Sequence, residues 1–397
     1  MLKKQEEGEE EVENSSKGTP PPPWSRKMIV EEVARVLNYG DLKAKIEAAR
    51  DVRRLVRKSS SANSKSAVRC RFAAAGVIEP LVSMLHSSFP VAAREAALLA
   101  LLNLAARNQS KDVLISVITV VSHSAHYQIP RNKIRIVTAG AVPPLVELLK
   151  YQTGNLRELS AAAILSLSSA PSNKPTIATS GAPHLLVQVL CTGSVQGKVD
   201  AVTALYNLST SEDEPKLNLD AKAVPPLINL LKECKKYSKF AEKTTFLLEI
   251  FSGSEEGRTA ITNVDGGILA LVETVEDGSS ISMSHAVGAL LSLCKSSRDK
   301  YRDLILNEGA IPGLLRLTAE GNPTAQDRAR TLLDLLRHTP QEKRLTSSEL
   351  ERIVYDFAAH IDGTDKAVET AKKLLQDMAQ KSMEISLNRV KLRTSSS

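Results

Sequence analysis

A chain of 397 residues with 42% apolar but only 4% aromatic content can build a core, and its preference for Leu, Ala, Val and Ile favours helix stacked on helix over sheets or aromatic-lined pockets. Its four cysteines (Cys70, Cys191, Cys234, Cys294) form no CxxC pair, which argues against a disulfide scaffold and for reduced thiols in the cytoplasm or nucleus. The net charge of +7 is uneven: residues 1–13 carry −4 and the remainder +11, a balance that suits acidic partners or a tail that screens the body.

The chain opens on MLKKQEEGEEEVE and TPPPPW, so residues 1–27 read as a disordered acidic and proline-rich tail without the apolar core of a secretory signal. A first helical segment follows from Met28 (IVEEVARVLNYGDLKAKIEAARDVRRLV). Ten basic residues lie between Lys43 and Arg71, with Arg50, Arg53, Arg54 and Arg57 clustered, and helical spacing puts Arg50, Arg54 and Arg57 on one face. Four readings of this patch stand: a dock for an acidic or phosphorylated segment, a contact for the acidic tail, a solvated face, or an attachment to an anionic membrane surface. Nucleic acid is not expected, because no aromatic residues interleave the basic ones. Ser59–Ser61, after RLVRK, suit a kinase.

From Ala74 onward one pattern recurs: AAGVIEPLVSML, TAGAVPPLVELLK, TSGAPHLLVQVL, DAKAVPPLINLL and NEGAIPGLLRLT. Its glycine slot falls at Gly76, Gly140, Gly181, Lys222, Gly266 and Gly309, at intervals of 64, 41, 41, 44 and 43. A second marker keeps step, a polar residue at Asn103, Ser166, Asn207, Glu249, Ser292 and Asp334. Leu or a similar apolar residue brackets it, and mostly small residues sit three positions earlier (Ala100, Ala163, Ala204, Phe246, Ala289, Thr331). That spacing predicts a helix buried over most of its circumference, which one repeat cannot cover without neighbours. Each unit reads as a short helix, such as Lys133–Thr138, a turn at the glycine, a second helix opened by prolines such as Pro143 and Pro144, and a longer third helix.

Between Asn103 and Gly140 the count is 22 residues too long, and removing about Gln109–Pro130 restores the period. The reading adopted is an intron retained in frame; the alternative is a binding loop on one edge of the array. His123 and His126 within it form an HxxH without further ligands nearby, so no metal site is expected. The apolar run Val113–Val121 is about half of a membrane-spanning helix, and no transmembrane segment is expected. Past Lys343, residues 344–386 read as a helical cap opened by the capping box Thr346–Glu349, and 387–397 as a basic, serine-rich tail. No P-loop, dinucleotide fingerprint, HExxH or GxSxG is present, so no cofactor and no catalysis are expected.

The three-helix unit, the GAVPPLVELL stretch and endings such as ALYNLS resemble armadillo repeats, most closely the repeat region of plant proteins that join such repeats to a U-box. The resemblance covers roughly residues 28–343, in six clear units and a degenerate first one. It implies an all-α, right-handed α-solenoid with a C-terminal helical cap, a non-enzymatic scaffold that binds a peptide or protein partner, and a link to ubiquitin or signalling pathways. The alternative it implies is a ubiquitin ligase of the U-box type, although no stretch here resembles the U-box. In armadillo proteins an Asn ladder on the third helices holds an extended peptide, which makes Asn103, Ser166, Asn207, Glu249, Ser292 and Asp334 the candidate groove residues. The nuclear-import adaptors of this fold add a Trp four residues earlier; here those positions are Leu99, Ala162, Thr203, Thr245, Gly288 and Arg330, so import-signal recognition is not expected. A monomer in the cytoplasm, the nucleus or both completes the expectation.

Overall fold

The computed structural model describes residues 23–59, 61–106, 128–151, 154–210, 219–337 and short stretches between 354 and 376. The tail up to residue 22, most of the 109–130 insertion with His123 and His126, most of the proposed cap with its capping box, and the final tail lie outside the described residues. Two compact units divide the chain, 1–333 and 334–397. In the second, Val354 and Ala371 are buried within short helical stretches.

The first unit is helical, with no strand among its described residues. It opens with α1 (Pro23–Tyr39) and α2 (Leu42–Lys58). Five complete three-helix repeats are α3 (Ala62–Ala74), α4 (Ile78–Ser83) and α5 (Val91–Ala105); α6 (Gln128–Thr138), α7 (Val142–Leu149) and α8 (Asn155–Ser168); α9 (Lys174–Ala178), α10 (Ala182–Thr192) and α11 (Val195–Ser209); α14 (Glu255–Asn263), α15 (Gly267–Asp277) and α16 (Ser280–Ser296); and α17 (Arg298–Asn307), α18 (Ile311–Glu320) and α19 (Pro323–Arg337). Between the third and fourth of these lie α12 (Val224–Glu233) and α13 (Lys239–Ser252), preceded by a single 3-10 turn at Ala221–Ala223 in place of a first helix. Third helices α5, α8, α11, α13 and α16 pack each against the next, and α2 packs on α5 in the same way. This assigns α1 and α2 as second and third helices of the degenerate first repeat.

The glycine slots behave as turn chemistry requires. Gly76, Gly140, Gly181, Gly266 and Gly309 all take positive φ between the first and second helices. The lysine slot is rebuilt, since no non-glycine residue among those described has positive φ. Asp220 caps the 3-10 turn by accepting from the Lys222 amide at 2.9 Å, so the chain turns without a left-handed residue. Gly181→Ala, at φ +83° with nothing within 4 Å of the added carbon, is therefore expected to lose about 1 kcal/mol from backbone strain alone. Lys222→Gly should gain nothing and lose slightly through unfolded-state entropy; urea denaturation of both variants checks the contrast.

The small-residue column is buried where it is alanine: Ala100, Ala163, Ala204 and Ala289 admit the adjacent third helix. Between repeats the stacking is stitched by polar side chains at regular intervals. Asn173, buried, donates to the carbonyls of Lys133 and Leu167, both at 3.1 Å, and Asn132 repeats the contact on Leu104 at 3.3 Å. One residue on, Lys133 donates to Ser169 Oγ at 2.6 Å and Lys174 to Thr210 Oγ1 at 3.0 Å, while Arg69 donates to the Asn103 carbonyl at 2.8 Å. Each of these cations sits at the carboxyl end of its own repeat's third helix, where the helix dipole is negative. The buried Arg94 and Arg157 reach forward to Tyr151 Oη at 2.7 Å and Thr192 Oγ1 at 2.9 Å, at the ends of the next repeat's second helices. Part of the basic surplus is thus consumed inside the stack.

Candidate partner-binding face of the third helices

Three of the six ladder residues close hydrogen bonds between neighbouring third helices. Ser166 Oγ donates to the Ala105 carbonyl at 3.3 Å, Ser292 Oγ to the Ser252 carbonyl at 2.8 Å, and Asn207 Nδ2 to Ser168 Oγ at 3.1 Å. Asn103 turns back on its own helix, donating to the Leu99 carbonyl at 2.7 Å. All four remain half-exposed, and Asp334, exposed near the end of α19, falls in the second unit.

Glu249 stands one residue off this ladder. In α11 the buried positions fall three and two residues before Asn207 and one after it (Ala204, Leu205, Leu208). The same pattern in α13 (Leu247, Leu248, Phe251) centres on Ile250. The hydrogen bonds agree, because Ser166 and Ser292 each bond to the carbonyl two residues past the preceding ladder position, counted from Asn103 and from Ile250. Aligning α13 on its polar residue therefore shifts the register by one. With the register corrected, Phe246 instead of Thr245, which is fully buried, occupies the position four before the ladder.

That shift brings together a group that lies far apart in sequence. Phe246 meets Tyr206 edge-on, with ring centroids 5.0 Å apart, and meets the His285 ring at 5.2 Å. His285 Nδ1 lies 2.7 Å from Glu249 Oε2, and Arg328 Nη2 lies 2.8 Å from Glu249 Oε1. Arg328 Nη1 also donates to the Ser284 carbonyl at 2.7 Å. One half-exposed row thus runs over α11, α13, α16 and α19. Gly288 makes room for it, since a side-chain carbon there would lie 2.6 Å from Arg328 Nη1 and 2.7 Å from Glu249 Cδ. Two neighbours are charged groups under desolvation. Burial pulls the Lys243 ammonium below its usual range, with Glu242 opposing, and its Nζ lies 3.4 Å from Thr203 Oγ1. Burial raises the Asp200 carboxyl, which accepts from Gln196 at 2.8 Å. Over α5 and α8 the same face is largely apolar, with Leu99, Leu102, Leu159, Ala162 and Leu165 half-exposed.

The basic cluster on α2 is less available than its spacing predicts. Arg50 pairs with Glu47 and Arg54 with Asp51 three residues earlier on the same helix, while Arg57 is exposed and Arg53 half-buried. Ser59 and Ser61 are used locally: Ser59 bonds the Leu55 carbonyl and Ser61 caps α3. Among the described residues no group of three His, Cys, Asp or Glu could hold a metal. A void of about 10 Å³ between α5 and α8, lined by Leu98, Leu101, Ala163 and Leu167, is far below the size of a small-molecule site. All four thiols are free, and burial raises each of them, Cys294 to about 11, so none is an activated nucleophile.

Residues 199–354 match the family model described as the plant U-box protein ARM repeat region. Among curated proteins, the chain is similar to U-box domain-containing protein 45 of Arabidopsis thaliana, with 29% identity over 222 residues, covering 55% of this chain and 28% of that protein. U-box domain-containing protein 17 of the same plant is 29% identical over 277 residues, covering 58% and 37% respectively. The chain thus spans about a third of the length of these relatives. Among solved structures, a designed armadillo repeat protein aligns over 78% of this chain and 100% of its own, with 19% identity and a TM-score of 0.37. The 41–44-residue period, the three-helix units with left-handed glycine turns and the stacked third helices make the chain an armadillo-repeat α-solenoid, similar to the ARM repeat regions of plant U-box proteins.

Proposed function

We propose that this protein is a non-enzymatic scaffold that receives a peptide or protein segment on the exposed face of its third helices. The observation that carries the reading is the Tyr206–Phe246–His285–Glu249–Arg328 row. Aromatic and charged side chains there are half-exposed yet fixed by mutual contacts across four helices, as a pre-organised recognition surface requires. Stacking alone would be served by the alanine and leucine columns. The acidic or phosphorylated partner expected from composition finds partial support in Lys243 and the α2 cluster. A monomer in the cytoplasm or nucleus, with free thiols, accords with the same reading.

The test is a randomised peptide library displayed on phage and panned on the full chain. Enriched peptides should bind with an affinity that falls at least about tenfold for Phe246→Ala and for Tyr206→Ala, the truncation of a hot-spot aromatic. Helical circular dichroism should be unchanged. Enriched peptides that bind both variants as tightly as the parent would place recognition elsewhere.

The likeness to plant U-box ARM regions supports a role in ubiquitin-linked pathways. Incubation of the chain with purified E1, E2 and ubiquitin is expected to yield no autoubiquitination. Ladder formation would establish ligase activity in these residues instead.

A further inference from the structure

Lys243 lies on α13 three residues before Phe246, so helical spacing puts the two side by side on the same face. It is half-buried, and its ammonium is only partly used. Nζ lies 3.4 Å from Thr203 Oγ1, and that hydroxyl already donates its proton to the Val199 carbonyl at 2.9 Å. Thr203 can therefore only accept, which occupies one of the three N–H donors of the ammonium. Among the described residues no carboxylate lies within ion-pair distance of Lys243, and two of its donors have no protein partner.

The acids of this neighbourhood are committed elsewhere. Glu242, next in sequence, receives Lys239 at 3.1 Å and Ser279 Oγ at 2.8 Å. Glu249 holds Arg328 and His285. On the preceding third helices, Asp200 accepts from Gln196 at 2.8 Å and Glu158 from the Ser194 amide at 2.7 Å. Set against Lys198, Lys239, Lys243 and Arg328, these four acids leave the surroundings close to neutral. No broad field draws an anion here; the complementarity is local, a single desolvated ammonium with open donors. The burial that pulls Lys243 below its usual range also makes an unpaired charge costly, and an anionic oxygen at those donors would offset that cost.

We propose that Lys243 holds a carboxylate of the segment received on the third-helix face, beside an apolar side chain taken by the rings of Tyr206 and Phe246. The proposal rests on that face being the binding surface, and it adds the chemistry of the partner: an Asp or Glu close to an apolar residue. Lys243 and Phe246, three apart on a helix, are separated by about 5–6 Å at their β-carbons. Side chains two residues apart in an extended segment share a face and lie about 6–7 Å apart, so an acid and an apolar residue at that spacing reach both. A carboxylate suits the site better than a phosphate. The phosphate would bring nearly two negative charges among four carboxylates, with one ammonium to hold them.

Peptides selected by panning a random library on the full chain test it. Those that lose affinity for Phe246→Ala are expected to share an Asp or Glu, and replacing that residue by Asn or Gln should weaken binding to the parent at least about fivefold. Lys243→Met keeps an apolar stem and removes the charge. It should weaken the acidic peptide by the same factor and leave the amide peptide unchanged, a coupling that a merely structural lysine would not show. Phosphoserine in place of the acid should bind no tighter than the acid does. Selected peptides without an acid, an amide replacement that costs as much on Lys243→Met as on the parent, or tighter binding of the phosphoserine peptide would each overturn the carboxylate site and leave the third-helix surface in place. Binding undiminished by Phe246→Ala would remove that surface, and the carboxylate site with it.

Discussion

Asn173→Asp should destabilise the solenoid more than Asn173→Ala does, although it is the more conservative change in shape. The Asn173 amide is buried and donates to the carbonyls of Lys133 and Leu167, one from the preceding first helix and one from the preceding third helix. Truncation to alanine removes two buried hydrogen bonds, each worth about 1 kcal/mol net, and leaves a small void, for a loss of about 2–3 kcal/mol. Aspartate offers only acceptors to two carbonyl oxygens. Its charge would be desolvated with no donor facing it, so the loss should exceed the alanine value by at least about 1 kcal/mol. Urea unfolding read by circular dichroism at neutral pH decides the order. If the aspartate variant melted with the parent, the contact would not be a stitch between repeats. Acidification should narrow the gap between the two variants, because protonation restores a donor to the carboxyl group.

The role of that asparagine was not legible in the sequence, and the reason is physical. Sequence periodicity reports the faces that exclude water, so the repeat, its turns and the alanine column were all readable from Gly76 to Ala289. Positive φ at the five glycine slots and burial of Ala100, Ala163, Ala204 and Ala289 match what spacing implied. A polar side chain carries no such label: Asn132 and Asn173, forty-one residues apart, look like surface residues until the carbonyls they bind are known. Their recurrence, followed in each case by lysine, was the available signal. Arg94 and Arg157, sixty-three apart, gave a similar one, and both are buried against the ends of neighbouring helices. Counting them as surface charge overstated the basic face that a partner could meet.

The candidate site was half legible for a related reason. Marking each third helix by a polar residue works where the ladder is Asn or Ser, and steps aside in α13, where the ladder position is Ile250 and the nearest polar residue is Glu249. That single step hid the equivalence of Phe246 with Thr203 and Gly288, and with it the row from Tyr206 to Arg328. Burial periodicity, instead of side-chain polarity, is the sounder register: Leu247, Leu248 and Phe251 were all apolar in the sequence and would have placed the ladder correctly.

Gly288→Val is expected to dismantle the row while leaving the repeats stacked. A β-carbon at Gly288 would lie 2.6 Å from Arg328 Nη1 and 2.7 Å from Glu249 Cδ, and valine adds two methyl groups to it. The obstructing atoms are the ends of flexible side chains, so the ion pair moves and the helix backbone holds. Overpacking at this buried position should cost about 1–2 kcal/mol, partly offset by valine's better helix propensity. The pair itself, half-buried and still reached by solvent, contributes about 1 kcal/mol to stability. Its value lies in orientation, since Glu249 holds His285 against Phe246 and Arg328 spans to the Ser284 carbonyl. Two measurements separate these roles. In a double-mutant cycle, Arg328→Ala should cost about 1 kcal/mol in the parent and almost nothing in the Gly288→Val background, because the contact is already gone. Peptides selected on the parent chain should lose at least about tenfold in affinity for Gly288→Val, a loss out of proportion to its stability change. Equal costs for Arg328→Ala in both backgrounds would show that Gly288 does not make room for the pair. Unchanged peptide affinity would show that the row, though ordered, is not where the partner binds.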